Sequence, residues 1–137
     1  MVNPNKHIRK AYILALANIG VPVWSVKVPK TIKPKPTRYV LISSQSKTET
    51  VRDKCGFEWL CVVTLDITSI QNLGDSDVAI LDDIEEKILS RIDDELPVTG
   101  FIVKSAVVLE SIDVTLDTPN QSVERRIIMY EHWLNNV

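Results

Sequence analysis

Two stretches of the chain carry apolar residues at the three- and four-residue spacing of an amphipathic helix. The first is expected to begin with Asn3 as N-cap and Pro4 in the first turn, and to end between Asn18 and Gly20. Its core-facing stripe is Ile8, Ala11, Tyr12, Ala15, Leu16 and Ile19. The second is expected to begin around Asp75 and Asp77 and to stop at Pro97. Its stripe is Ile80, Leu81, Ile84, Ile88, Leu89, Ile92 and Leu96.

The remaining apolar residues alternate with a period of two, which predicts strands. Val21 to Val28 indicates a short strand, and Pro22 near its start suits the edge of a sheet. A long hairpin is expected to pair residues 39–50 with 57–68, and a second to pair residues 101–117 with 122–134. Residues 118–121 have the composition of a turn, with proline early and asparagine after it. The predicted class is α+β: an antiparallel sheet built from two long hairpins, flanked by an N-terminal helix and a central acidic helix.

Length and strand span together suggest how the chain is organised. The 137 residues fit one domain, which would be about 37 Å across if compact. A sixteen-residue strand is about 53 Å long. Either bulges fold such strands back within one molecule, or their ends project and lie on a neighbouring subunit. We expect a single domain over residues 1–137 with projecting hairpin arms, whose tips lie near residues 50–56 and 117–122.

Charge divides the chain into two parts despite a net charge of −2. Residues 1–55 hold eleven basic and two acidic residues, whereas residues 56–137 hold five basic and sixteen acidic residues. Three interpretations stay open: the charges intermingle on folding, opposite faces of successive copies pair head to tail, or the basic part binds nucleic acid. A whole-chain pI of about 5.7 argues against a dedicated nucleic-acid binder.

The head-to-tail interpretation predicts which residues contact a subunit or another partner. The basic candidates lie in or near the proline-rich loop of residues 29–36, expected to be extended and partly polyproline-like, and at the tip of the first hairpin. The acidic candidates lie on the second helix, where three of them are expected in its last turn, the unfavourable end of its dipole. The candidates are Lys30, Lys33, Lys35, Arg38, Arg52, Lys54, Asp82, Asp83, Glu86, Asp93, Asp94 and Glu95.

Catalytic and metal-binding patterns are missing from the sequence. His7 and His132 have no metal-ligand spacing, and Cys55 and Cys61 form neither a CxxC motif nor a disulfide scaffold. No phosphate-binding glycine loop or nucleophile elbow occurs. No run of residues is apolar enough for a membrane span, and no signal peptide opens the chain. We therefore expect a non-enzymatic protein without cofactor or metal, soluble and made in a reducing compartment, with no membrane partner.

The order of elements resembles the tail-completion, or tail-terminator and head–tail joining, proteins of tailed bacteriophages. The resemblance rests on a first helix leading into Val21-Pro22-Val23-Trp24, a Lys/Pro loop before residues 38–42, and a long apolar strand at residues 59–67. A lone helix and a final hairpin ending in residues 125–131 complete it.

This resemblance implies a structural virion subunit of the tail or neck, made in the cytoplasm of a bacterial host. Such subunits form a homo-oligomeric ring, commonly of six. The ring terminates the tail tube, joins it to the connector of the head and lets DNA pass non-specifically through its lumen. The family has no catalytic residues that could be assigned to positions in this sequence. The alternative is a small nucleic-acid-binding or regulatory adaptor, in which Lys30, Lys33 and Lys35 track phosphates and binding falls steeply with salt.

Overall fold

The computed structural model describes residues 3–53, 56–72 and 78–136, with side chains for all of these except residues 51–53, 56 and 57. It contains two helices and five strands in the order α1 (Pro4–Ala15), β1 (Val23–Ser25), β2 (Arg38–Asp53), β3 (Gly56–Asn72), α2 (Val78–Arg91), β4 (Phe101–Asp117) and β5 (Gln121–Asn136). The predicted α+β class is confirmed.

All five strands form one sheet in the order β1-β2-β3-β5-β4. β2 pairs antiparallel with β3, β3 with β5, and β5 with β4, so the two hairpins share the central pair β3–β5. The short strand β1 pairs parallel with β2 through Trp24 and Leu41 and forms one edge, as Pro22 suggested. β4 forms the opposite edge.

The predicted first strand is shorter than expected. Val21 to Val28 was predicted as a strand, but only Val23–Ser25 is extended and paired. It ends because Val26 adopts a φ of 69°, the left-handed region that a β-branched residue tolerates poorly. The Val26 amide still donates to the carbonyl of Ile42 at 3.0 Å, so this bent residue stays attached to the sheet.

Helix α1 begins as its sequence dictates. The Asn3 side chain accepts a hydrogen bond from the amide of Asn5 at 3.1 Å, and Pro4 occupies the first turn. The predicted stripe packs into the core, where Tyr12 and Leu16 are fully buried. Helix α2 buries Leu81, Ile84 and Ile88 in the same core.

The predicted bounds and buried stripe of α2 agree only in part with the structure. The predicted start at Asp75 and Asp77 lies outside the described residues. Leu89 was predicted to be buried, but it is 44% exposed, because it follows Ile88 by one residue and therefore lies about 100° around the helix from it. The last turn ends at Arg91, so the acids at residues 93–95 follow the helix rather than occupy its final turn.

Strand length exceeds helix length in this fold. A strand of 17 residues such as β4 is about 56 Å long, whereas α1 and α2, of 12 and 14 residues, span about 18 and 21 Å. Bulges interrupt the register of β2 at Ile42/Ser44 and Glu49/Val51, and that of β4 at Val103/Ser105 and Val108/Glu110. The helices therefore cover only part of one sheet face. Within the described residues, neither helix is long and apolar enough to cross a membrane.

Candidate assembly surfaces

Both helices pack on the same face of the sheet. Tyr12 of α1 contacts Tyr130 and His132 of β5, while Asp82 and Glu85 of α2 contact Arg126 of β5. Tyr130, His132 and Arg126 alternate along β5 and are buried. The intervening residues of β5 project to the other side, which we call the open face.

The open face of β3 and β5 carries a set of apolar side chains that are only half-buried, with polar residues such as Asp66 and Arg125 between them. Its apolar side chains on these two central strands are Leu60, Val62, Ile70, Val123, Ile127, Met129 and Trp133. In a sheet covered on both sides, central-strand residues would be fully buried. Trp133 is thus placed on this open surface, whereas Trp59, which points to the helices, is 6% exposed and belongs to the core.

The edge strand β4 continues this apolar surface. On the open face its exposed residues include Ile102, Val107, Ile112, Val114 and Leu116, with exposed fractions between 38% and 59%. Apart from residues at its start, β4 is exposed on both faces. A long, apolar, unprotected edge is unusual in a monomer, because it offers backbone and side chains to another chain.

A lysine-rich loop between β1 and β2 lies at the opposite end of the sheet. It lines a cavity of about 500 Å³ together with Tyr39 and Leu41 of β2. Those two residues alternate with the core residues Val40 and Ile42, so the cavity is on the open-face side. The expected extended conformation is wrong in part: Ile32 donates to the carbonyl of Pro29 at 3.1 Å, which closes a turn. The Lys33–Pro34 peptide bond is cis.

The cavity has a basic rim and an apolar floor. Lys27, Lys30, Lys33 and Lys35 are all exposed and line it. Lys35 lies over the ring of Tyr39, with Nζ 6.0 Å from the centroid. The apolar lining is Val28, Pro29, Ile32 and Leu41. We name this the lysine-rimmed cavity. Arg38, another predicted contact, is exposed at the start of β2; Lys54 and the side chain of Arg52 lie outside what the structure describes.

The predicted acidic contacts lie on or just after α2. Asp82, Asp83 and Glu86 are exposed on the outer side of the helix, and Leu89 lies one turn after Glu86, at the border with the groove next to β4. We call these four residues the outer face of α2. Asp93, Asp94 and Glu95 are exposed in a turn, where the Asp93 side chain accepts from the amide of Glu95 at 2.9 Å.

Arg91 forms no ion pair with those three acids among the described residues. Its Nη1 donates instead to the carbonyls of Ala15 and Ala17, at 3.1 and 2.9 Å. Lys87 likewise donates to the carbonyl of Ile19 at 3.2 Å. Two of the few basic residues in the acidic part of the chain therefore cap the end of α1.

The ion pairs between described side chains do not join the basic part of the chain to its acidic part. Among the described side chains, every ion pair joins residues within 56–137: Lys104–Glu58, Arg125–Asp66, and Arg126 with Asp82, Glu85 and Asp113. No ion pair in this described part links the lysines of the loop to the acids of α2. Opposite charges thus remain available on different surfaces.

Arg126 holds α2 against the second hairpin, a role that the sequence analysis missed. Its Nε donates to Asp113 at 2.6 Å and its Nη1 to Glu85 at 2.8 Å, with Asp82 as a third partner. These bonds raise the pKa of Arg126 and lower that of Asp113. On the open face, Arg125 forms a two-pronged pair with the buried carboxylate of Asp66.

The buried histidine, His132, is held between two tyrosines. His132 is 1% exposed, hydrogen-bonded through Nε2 to the hydroxyl of Tyr12 and stacked on Tyr130. Burial lowers its pKa to about 4. His7 lies beside Phe101, and the Ser43 hydroxyl donates to the carbonyl of Thr64 at 3.2 Å. The described residues contain no cluster of His, Cys, Asp or Glu that could hold a metal ion.

Comparison with known proteins identifies the fold. No protein-family model matches the chain, and no curated protein sequence matches it. A solved structure does. The chain is similar to one in the virion of a native gene transfer agent (GTA) particle, with a TM-score of 0.76 and 11% sequence identity. The match covers 99% of this chain and 100% of that one. The two proteins therefore share the whole fold, with few identical residues.

Proposed function

We propose that this protein is a structural subunit of a phage-like virion, with no catalytic activity. A fold shared from end to end with a virion chain supports this role. The further proposal is a ring-forming subunit of tail completion or of the neck. It would terminate the tail tube and join it to the head connector, with DNA passing through the ring.

The observation that carries the assembly role is the exposed apolar strand β4. Leu116, Ile112 and Val107 are 59%, 44% and 47% exposed on a sheet edge that continues the half-buried open face of β3 and β5. Covering such side chains is favourable by about 25 cal/mol per Å². If β4 contacts a different surface of the next copy, the contact is head to tail, and it closes into a ring when the rotation between successive copies allows it.

Native mass spectrometry of the protein across concentrations tests this proposal. The wild type is expected to form a closed oligomer. The triple variant Val107→Thr, Ile112→Thr and Leu116→Thr keeps β-forming side chains but removes apolar contact area. We expect it to weaken each interface by about 2 kcal/mol, or roughly thirtyfold in dissociation constant.

The matched control is Leu14→Gln on α1, since Leu14 is 68% exposed but lies away from the open face. It should leave the oligomer unchanged. A wild type that stays monomeric at every concentration would contradict the assembly role.

A further inference from the structure

We propose that the lysine-rimmed cavity receives the outer face of α2 from a second copy of this chain. This inference rests on the proposed assembly role and identifies one of its contacts. The cavity combines four exposed lysines with an apolar floor that includes Ile32, 39% exposed. A partner that fits must therefore present carboxylates around an apolar side chain.

The outer face of α2 has that composition. Asp82 and Glu86 lie on the same side of the helix as Leu89, which is 44% exposed and follows Glu86 by three residues, almost one turn. Asp83 lies about 120° around the helix from Leu89, and Asp93 and Asp94 lie beside Leu89 in the groove next to β4. Asp83 and Glu86 form no ion pair among the described residues. Their charge is thus free to meet the lysines, while Leu89 contacts the apolar floor.

The positions of the two surfaces require the contact to be between copies. The cavity lies on the open face at the β1–β2 edge, whereas α2 packs on the other face, over β3 and β5. The sheet separates them, so α2 cannot reach the cavity of its own chain. Each copy can use both surfaces at once, which allows a closed head-to-tail ring.

The apolar floor distinguishes this partner from nucleic acid. A phosphate backbone is bound by cationic side chains and by polar hydrogen-bond donors, so it leaves the apolar side chains of Ile32 and Leu41 without a contact. A helix carrying both acids and a leucine satisfies the rim and the floor together. We therefore favour a second copy over DNA as the occupant.

Charge reversal with rescue tests the contact. One variant carries Lys30→Glu, Lys33→Glu and Lys35→Glu; the other carries Asp83→Lys and Glu86→Lys. Asp82 is left intact, because it also pairs with Arg126. Each variant alone should assemble at least tenfold more weakly, since like charges then face each other. Mixing the two in equal amounts restores opposite charges at every interface and should restore assembly.

Two further variants and two supporting measurements complete the test. Leu89→Ser should weaken assembly without changing its salt dependence. Lys6→Glu with Lys10→Glu, on exposed positions of α1, should have no effect on assembly. Circular dichroism and thermal melting establish that each variant is folded, and a gel shift with double-stranded DNA measures nucleic-acid binding.

The outcomes separate this contact from the general proposal. Loss in each reversed variant with recovery in the mixture supports the contact. Assembly that is unaffected by either reversal overturns the contact but leaves the virion-subunit proposal in place. A lysine variant that still assembles but no longer shifts DNA assigns the cavity to nucleic acid instead. A monomeric wild type overturns both proposals.

Discussion

Replacing Arg126 with methionine should lower the free energy of unfolding by about 2–3 kcal/mol. The arginine side chain is only 8% exposed and makes ion pairs with three carboxylates. Methionine keeps the apolar stem and removes the charge. Asp113, Asp82 and Glu85 would then lose their shared cation, and the hydrogen bond from Ser111 to Glu85 would remain as a polar contact between the second hairpin and α2.

The magnitude follows from the exposure of the three partners. Breaking a fully buried ion pair costs about 3–5 kcal/mol. Glu85 is 17% exposed, but Asp82 and Asp113 are 64% and 51% exposed, so water can solvate those two after the substitution. Discounting the exposed partners gives the lower range of about 2–3 kcal/mol.

Urea denaturation followed by circular dichroism measures the effect. At an m-value of about 1.5 kcal/mol per molar, the midpoint should fall by roughly 1.3–2 M. All variants are compared at one protein concentration, because association stabilises the folded state. Lys104→Met is the matched control, since its pair with Glu58 spans 3.5 Å and is half exposed; it should change stability by less than about 0.5 kcal/mol. An Arg126 variant no less stable than this control would refute the reasoning.

Three other residues give predictions of defined sign. Val26→Gly should raise the melting temperature by about 2–4 °C, because it relieves the positive φ of 69° at an exposed site; an unchanged or lower value would show that no strain is stored there. Burial lowers the pKa of His132 to about 4, below its unfolded value of about 6.5. The contribution of His132 to the free energy of unfolding should therefore be complete above about pH 6.5, and about 3 kcal/mol of it should be lost as pH falls to 4. Urea midpoints measured across this pH range should fall less steeply in His132→Leu than in the wild type. Burial raises the pKa of the Cys61 thiol to about 11. In a Cys55→Ser variant, a thiol reagent at pH 8 should therefore react with Cys61 only after urea unfolds the chain. Rapid labelling of the folded protein would contradict this.

The periodicity of apolar residues predicted most helices and strands, because the spacing that distinguishes a helix from a strand is visible among residues close in sequence. The bounds of β4 coincide with the predicted residues 101–117, since a turn of strong composition follows them. The first strand was overestimated because its pattern continues past Val26, where the backbone turns away.

The contacts between distant elements could not be read in the same way. Tyr12 and His132 are 120 positions apart, and only the folded sheet brings them together. The pairing of Asp113 with Arg126 could have been predicted from the sequence, because the two residues are equally far from the predicted turn at residues 118–121. The participation of α2 in that network depends on helix packing, which the sequence does not encode locally.

The uncovered state of β4 is the claim on which the account depends. Hydrogen–deuterium exchange at low and high protein concentration tests it directly, because assembly should cover the amides of residues 107–117 and leave those of β3 unchanged. The account predicts exchange in β4 that slows as concentration rises. Exchange in β4 that is equally fast at every concentration would contradict it.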